Sequence, residues 1–480
     1  NYRSHGHILD TANYLISHNT RRLGKNLRTD AGHGEPVRIF EASSDLQEAQ
    51  WLIEEAKSLI AEGWLRSEIA VLYRSNAQSR VIEHALFSAS LPYRVYGGQR
   101  FFERAEIKHA IAYLQLIDNP HNDSAFLRVV NFPTRGIGAR SIEQLQDAAR
   151  QYGISLYAAV PYVAGKAGAV LGSFVKLIEG LRFETARLPL PEMVQITPEK
   201  STLITHYQNE KEGADRIENL EQLVSAASLF LSEEGFRIDA PALVGPEVAS
   251  AAPALTTGED VEIIDADAPL TAVMSPLSAF LSHASLEAGD NQAQAGQDAI
   301  QLMTVHAAKG LEFDAVFITG LEEGLFPHEN SDEVDDGVEE ERRLMYVAIT
   351  RARKRLYMSF AQTRMLHGQT RYNLRSRFFD ELPDESLKWL SPKVQHQWLS
   401  GGQKAAWVDA PDSGNNQIAQ SFNTRKDSGW RVGQNVFHQK FGEGVIVNIE
   451  GSGTQARASI NFGKAGMKLL DLGVAKLEPR

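Results

Sequence analysis

The feature that most limits what this chain can fold into is a change of texture that happens twice. Up to residue 96, short strand-like runs alternate with helical ones: "VRIF" (37–40), the amphipathic "SDLQEAQWLIEEAKSLIAEG", "IAVLY" (69–73), a helical stretch near 79–89, and "YRVY" (93–96). Strands spaced by helices predict a parallel sheet with helical cover. After Gly97 and Gly98 the periodicity becomes helical, with Ile107, Ala110, Ile111 and Leu114 on one stripe and Ile217, Leu220, Val224, Ala227 and Leu231 on another. At Ile300 the alternation returns as "IQLMT", "AVFITG" and "RLYMSF". The pattern predicts an α/β sheet domain that is interrupted by a mainly helical insertion and then completed. Such a domain requires the two ends of the insertion to lie close together.

A chain of 480 residues is too long for one core and predicts two to four domains. Residues 1–96 and 299–385 read as the two parts of the sheet domain, and 97–298 as the insertion. An acidic, Ala- and Pro-rich segment near 239–272 has no stable period and is expected to be disordered. Residues 386–428 form a polar linker, and 429–480 a small β-rich module punctuated by glycine. Local signals support several element ends. Ser44 and Gln47 stand at capping-box spacing, Gly63 is a stop, and Ser275-Pro276 is an N-cap followed by proline at the first helical position.

The net charge of −12 is concentrated rather than spread. Residues 237–298 carry ten acidic side chains against one basic, and 329–341 carry eight against none. The rest of the chain is therefore net positive, so basic surfaces remain open to it. The module at 429–480 is itself basic, with seven Lys and Arg against four acids. There is no cysteine, which excludes disulfides, thiolate metal sites and a cysteine nucleophile. No apolar run approaches membrane-spanning length and no signal peptide opens the chain, so a cytoplasmic location is expected. The sequence starts Asn1-Tyr2-Arg3-Ser4 without methionine, and is expected to be a fragment.

Two stretches carry candidate chemistry. "EEERRLMYVAITRAR" (339–353) predicts a helix with acids at its positive end and cations at its negative end, as the helix dipole favours. At 100° per residue Leu344, Val347, Ala348 and Arg351 share one side. Arg351 on an apolar stripe is either a structural arginine paired with a buried carboxylate or a planar cation aimed at a phosphate, an arginine finger. "TVHAAKGLEF" (304–313) joins two strand-like runs. Loops at the strand ends of a parallel sheet are where such folds bind ligands.

The motifs "NYRS" (1–4), "LYRSNAQSR" (72–80), "YGGQRFFER" (96–104), "TRGIG" (134–138), "QLMTVHAAKGLEFDAVFITGLEEGLFPH" (301–328) and "EEERRLMYVAITRAR" resemble those of the superfamily 1 DNA helicases of the UvrD/PcrA/Rep type. The resemblance runs in order along nearly the whole chain. It implies a RecA-like domain with a helical insertion, and an enzyme that binds ATP with Mg2+ and moves 3′ to 5′ on single-stranded DNA to unwind duplex in DNA repair. It also implies roles. Tyr2 would stack on adenine, Arg3 and Arg351 would reach the γ-phosphate, and Glu312 would hold the ribose. Arg74, Ser75, Asn76, Thr304 and His306 would lie along the single strand. Gly136, Ile137 and Gly138 would contact duplex through backbone amides; read from the residues alone, that Gly-Ile-Gly is a tight interhelical turn. "VFHQKFGEGVIVNIEGSG" resembles the Tudor-like, SH3-type barrel of these helicases, which would dock RNA polymerase and repair proteins; the other reading is a barrel that binds nothing.

Three departures stand out. His367 occupies the place where the family presents an aromatic wedge, typically tyrosine, to the first base pair of a junction. The acidic Ala/Pro segment is longer than the family pattern. Above all, no G-x-x-x-x-G-K-[ST] loop occurs: "RRLGKNL" has Gly24-Lys25 but Asn19 where the first glycine should stand, and no strand-borne Asp-Glu pair follows. The phosphate loop and the magnesium ligands are expected on a domain preceding Asn1. The chain alone is expected to be inactive as an ATPase, the rival being a non-catalytic DNA- or polymerase-binding module.

Overall fold

The computed structural model describes residues 4–21, 24, 26–211, 213–243, 274–289, 297–332, 336–366, 369–391, 430, 434–450, 457–462, 467–472 and 475–479. Tyr2, Arg3, His367, most of the Ala/Pro-rich segment and most of the 386–428 linker lie outside them.

The α/β texture appears as α1 (Gly6–Ser17), β1 (Val37–Ala42), α2 (Asp45–Ala61), β2 (Ile69–Tyr73), α3 (Ser79–Ser88) and β3 (Tyr93–Val95). Nine helices follow among the described residues: α4 (Ala105–Asp118), α5 (Asp123–Val129), α6 (Ala139–Tyr152), α7 (Leu156–Ala159), α8 (Gly165–Thr185), α9 (Leu190–Lys200), α10 (Leu203–Gln208), α11 (Gly213–Glu233) and α12 (Pro276–Gly289). The alternation resumes as β4 (Ile300–Thr304), β5 (Phe313–Ile318), α13 (Gly337–Ile349), β6 (Ala352–Ala361), a hairpin of β7 (Thr363–Leu366) and β8 (Gln369–Tyr372), and β9 (Leu387–Trp389). One seven-stranded sheet has the order β3-β4-β2-β5-β6-β1-β9. Its strands come from both sides of the helical stretch, so the sheet is interrupted and completed as the texture predicted. No described helix is long and apolar enough to cross a membrane.

The chain forms two compact units. The first holds Asn1–Glu48, Asp314–Arg364 and Arg371–Arg480. In it β1 pairs in parallel with β6 on one side and β9 on the other. Helix α1 buries Ile8, Leu9, Ala12 and Leu15 and packs against α13. Arg342 of α13 is buried yet fully engaged: Nε and Nη2 donate to the two oxygens of Glu381 at 2.6 and 2.7 Å, and Nη1 to Oδ1 of Asn19 at 2.6 Å.

The second unit holds Ala49–Phe313 and Met365–Thr370. Here β4 pairs in parallel with β2 and with β3, so the insertion leaves from β3 and returns on the neighbouring strand. The helical stretch has its own core, with Tyr113, Phe126, Phe174, Tyr207, Leu223 and Phe280 removed from water. Burying side chains of this size contributes on the order of 2 kcal/mol each, so the insertion can hold itself together. Helix α2 starts with Ser44 Oγ accepting from Gln47 N at 3.2 Å, while Gln47 Oε1 accepts from the amide of Ser43 rather than Ser44. The capping box closes one residue earlier than its spacing suggests. Pro276 opens α12, and Ser275 Oγ accepts from Ser278 N at 3.1 Å.

The last segment is an antiparallel five-stranded sheet of β10 (Asn435–His438), β11 (Gly442–Glu450), β12 (Arg457–Asn461), β13 (Met467–Asp471) and β14 (Leu477–Pro479), ordered β13-β12-β11-β10-β14. Val436, Ile446, Ala458, Ile460 and Phe462 form its core. The order is that of an open sheet with β13 and β14 as outer strands, which does not establish the expected barrel.

Candidate functional site

The register of the second unit places two predicted segments side by side. Tyr73, the last residue of β2, is opposite Thr304, the last of β4. Val305 N donates to Tyr73 O at 2.9 Å, so Arg74-Ser75-Asn76 and Val305-His306 leave the sheet from adjacent carboxyl ends. The loop after β3 joins them: Tyr96 N donates to Leu302 O at 2.8 Å, and Gly97 has φ +74°. A Cβ added at Gly97 would sit 3.3 Å from Cβ of Ala307, so glycine permits both the backbone turn and the approach of the two loops.

Each loop is fixed by its own hydrogen bonds. Ser75 caps a short 3₁₀ turn in a capping box with Gln78, whose Oε1 accepts from the amides of Arg74 at 2.9 Å and Ser75 at 2.8 Å. Ser75 Oγ donates to Glu218 Oε1 of α11 at 3.1 Å. On the other loop Thr304 Oγ1 accepts from Ala307 N at 3.3 Å. Asn76, His306, Lys309 and Tyr96 are exposed there, with Arg74 half-buried. A strand end carrying cations, amides and an exposed aromatic ring can follow a phosphodiester backbone and stack bases.

Behind these loops lies a polar network that the sequence reading did not single out. Glu83 is buried; its Oε2 accepts from Phe101 N at 2.9 Å, its Oε1 accepts from Ser79 Oγ, and Arg104 approaches at 3.5 Å. Burial pushes the Glu83 carboxyl up, against the pull of Arg104. Arg104 also donates to Ser79 Oγ and to Asn219 Oδ1, at 2.7 Å each, which ties α3, the start of α4 and α11 together. Arg104 ends "YGGQRFFER", where three charged residues, Arg100, Glu103 and Arg104, flank two phenylalanines, and that clustering is the signal the sequence offers.

Gly136, Ile137 and Gly138 lie on the loop between α5 and α6. Ile137 is buried and its amide donates to Asn131 Oδ1 at 3.0 Å; the same oxygen accepts from Arg135 N at 2.9 Å. Gly136 has φ +76°, and Gly138 is the N-cap of α6, where Gly138, Ala139 and Arg140 are exposed. Arg135 turns inward, donating to Val129 O, Pro133 O, Ser201 O and the Tyr113 hydroxyl. The turn is thus both tightly built and presented at a helix amino terminus, a geometry that accepts anions.

Arg351 does not ride on the helix. Helix α13 ends at Ile349 and Arg351 stands in the turn before β6. The buried face of α13 is Glu341, Arg342, Met345, Ala348 and Ile349, whereas Leu344 and Val347 are half-exposed. The predicted stripe already departs from the buried face inside the helix, at Leu344 and Val347, and Arg351 lies past the helix end, where the helical period no longer places it. Arg351 Nε donates to Val347 O at 3.0 Å and Nη2 to Thr350 Oγ1 at 3.1 Å, which orients the half-buried guanidinium. Its neighbour Arg353 pairs with Asp314 at 2.8 Å. Glu312, half-buried, immediately precedes β5 in the second unit.

The model of the UvrD-like helicase C-terminal domain matches residues 1–363, and that of the PcrA/UvrD tudor domain matches 432–478. The chain belongs to the UvrD-like helicase family. DNA helicase II of Escherichia coli (strain K12) is 43% identical over 486 residues, covering 100% of this chain and 61% of the relative. DNA helicase II of Haemophilus influenzae is 42% identical, covering 100% and 60%. The ATP-dependent DNA helicase PcrA of Bacillus subtilis (strain 168) is 35% identical, covering 100% and 61%. The chain spans about three fifths of the length of the curated relatives it matches. Within the UvrD-like match fall Arg74 to Asn76, Gly136 to Gly138, Thr304, His306, Glu312 and Arg351, while His367 lies beyond its end.

Proposed function

We propose that this chain is the C-terminal part of an ATP-dependent DNA helicase that translocates 3′ to 5′ on single-stranded DNA and unwinds duplex in DNA repair. The observation that carries the reading is the pairing of Tyr73 with Thr304, which sends two loops of family motifs out of adjacent strand ends. Arg74, Ser75, Asn76, Thr304 and His306 contact the strand, Gly136 to Gly138 and Arg140 contact duplex phosphates, and His367 serves at the junction. Arg351, with Arg3, stabilises charge on the transferred phosphoryl group. Its fit to a phosphate rests on the two hydrogen bonds that orient its guanidinium at a helix end. Tyr2 stacks on adenine and Glu312 holds the ribose. ATP with Mg2+ supplies the driving reaction, and the phosphate loop and magnesium ligands come from a companion domain. The Tudor-like module docks RNA polymerase and repair proteins.

In the intact enzyme, Arg351→Ala is expected to keep DNA binding and lose roughly 10³ to 10⁵ in DNA-stimulated ATP turnover. Near-normal turnover would sink the arginine's role. The chain by itself, whose sequence holds no phosphate loop, is expected to bind single-stranded DNA with an affinity that falls steeply with salt, because phosphate contacts release counterions. An affinity indifferent to salt would remove the strand-end site. ATPase activity of this chain alone is expected to be absent; if DNA binding were also absent, the polymerase-docking reading would take its place.

A further inference from the structure

Beside the strand-end loops, the second unit contains a cluster that no motif claims. His84 on α3 and His283 and Glu287 on α12 bring three ligand atoms within 4.8 Å of one another. His84 Nδ1 lies 3.7 Å and His283 Nε2 3.3 Å from Glu287 Oε2. All three atoms are buried and none has a hydrogen-bond partner. With both imidazoles neutral, each unpaired buried atom costs about 1–3 kcal/mol, a cost that a cation bound among the three removes; with a ring protonated, the same contacts are ion pairs to Glu287 Oε2.

The donor set specifies that ligand. Two imidazoles and a carboxylate bind a divalent ion of the zinc class; with bonds of about 2.0–2.1 Å in tetrahedral geometry, ligand atoms stand about 3.3–3.4 Å apart. The two measured edges already bracket that spacing, and the remaining edge closes by rotation of His283, whose side chain is 20% exposed. The surroundings are those of a built metal site. His84 Nε2 contacts the Glu233 carboxylate at 2.9 Å, which holds the ring in the tautomer that leaves Nδ1 a lone pair. Glu287 turns its other oxygen, Oε1, to Arg80 at 3.1 Å, and Arg80 is stacked over Phe101 and Phe102. Two carboxylates against one guanidinium leave a net negative pocket for a cation.

We infer that His84 Nδ1, His283 Nε2 and Glu287 Oε2 form a structural divalent-metal site, with Glu233 as the carboxylate orienting His84 and solvent reaching a fourth position past His283. The ion clips α3 to α12 and to the end of α11, at the root of the helical insertion. The chain stripped with chelator and titrated with Zn2+ alone is expected to bind one equivalent tightly and to melt several degrees higher. His283→Ala is expected to abolish that equivalent, and Glu233→Gln to weaken it roughly tenfold. His33→Ala, which removes a histidine outside the cluster, should leave it intact. Co2+ on the unaltered chain should give the intense visible bands of a four-coordinate ion, a readout that needs no variant to fold. The inference is overturned if the unaltered chain takes up no stoichiometric Zn2+, if Co2+ shows only the pale octahedral spectrum, or if His283→Ala binds as the parent does.

Discussion

Each unit buries an arginine against carboxylate, and they finish the job differently: Arg364 meets two carboxylates, Glu322 and Glu48, and Arg80 meets one, Glu287. In the first, Arg364 Nε and Nη2 donate to Glu322 at 2.8 Å each, and Nη2 also reaches Glu48. The remaining acceptor capacity is used as well: Glu322 takes the Ala361 amide and the Asn373 side chain at 2.7 Å each, and Glu48 takes the Ser359 hydroxyl at 2.7 Å and the Gly320 amide at 3.1 Å. No buried atom of the three residues is orphaned. In the second unit Arg80 gives Glu287 a single bond, from Nη1 to Oε1, and Arg80 Nε, Glu287 Oε2 and the neighbouring imidazole nitrogens have no hydrogen-bond partner. A saturated cluster fixes the root of the β7–β8 hairpin; the other, built from the same kinds of residue, leaves buried polar atoms without hydrogen bonds. Charge content alone does not tell a lock from a site. The count of unused lone pairs does.

The comparison can be broken most forcefully at Arg364. Arg364→Ala strands two buried carboxylates and is expected to cost about 3–5 kcal/mol in urea-denaturation stability; a loss below about 1 kcal/mol would show that the lock is not one. Asn131→Ala removes the single oxygen that accepts from the amides of Arg135 and Ile137, with an expected loss of about 2 kcal/mol and weaker duplex binding. Ser75→Ala deletes a cap and its bond to Glu218, at about 1 kcal/mol. His283→Ala should cost the metal-free chain about 1 kcal/mol, for it loses the 3.3 Å contact to Glu287 and ring packing on Phe230 but strands no hydrogen-bonded group. The ranking of these four midpoints tests the distinction between closed and open clusters.

A pH series sharpens it for a neutral buried group. His109 stacks on Phe132 at 3.8 Å and bonds the Tyr207 hydroxyl at 2.9 Å. Burial, with Arg128, His206 and Arg216 nearby, lowers its imidazole to about 4. The folded value lies below the ordinary 6.5, so the unfolded chain takes the proton first as pH falls. Its contribution is therefore complete above about pH 6.5 and erodes between 6.5 and about 4. Relative to His109→Gln, the parent should lose urea-midpoint advantage on going from pH 7 to pH 5; a difference independent of pH would remove the assignment.

Much of this architecture was legible in the residues. The double change of texture predicts the interrupted sheet, because strand and helix periods are local properties, and the cap signals at Ser44, Gly63 and Ser275 lie within two residues of the observed ends. The face presented by Arg351 was not legible, since the turn after Ile349 resets the period on which the projection depended. The partnership of Tyr73 with Thr304 was hidden for a different reason: register between strands 231 positions apart is a tertiary fact. The His84, His283 and Glu287 cluster was hidden likewise. Only His283 and Glu287 show a suggestive spacing, and one helical turn of histidine and glutamate is common on any surface.

The pairing of β3 with β4 also sets the order in which the chain can be built. Tyr93 meets Ile300, so the second unit cannot complete its sheet until some two hundred intervening residues have been drawn into a closed loop. Contacts so distant in sequence are slow to form, and a strand edge awaiting its neighbour is prone to join the wrong one. The helical insertion, rich in local contacts, can condense first and deliver β4 to its place. On a ribosome β2 and β3 emerge before β4 by the whole length of the insertion, so their edge waits longest for its partner.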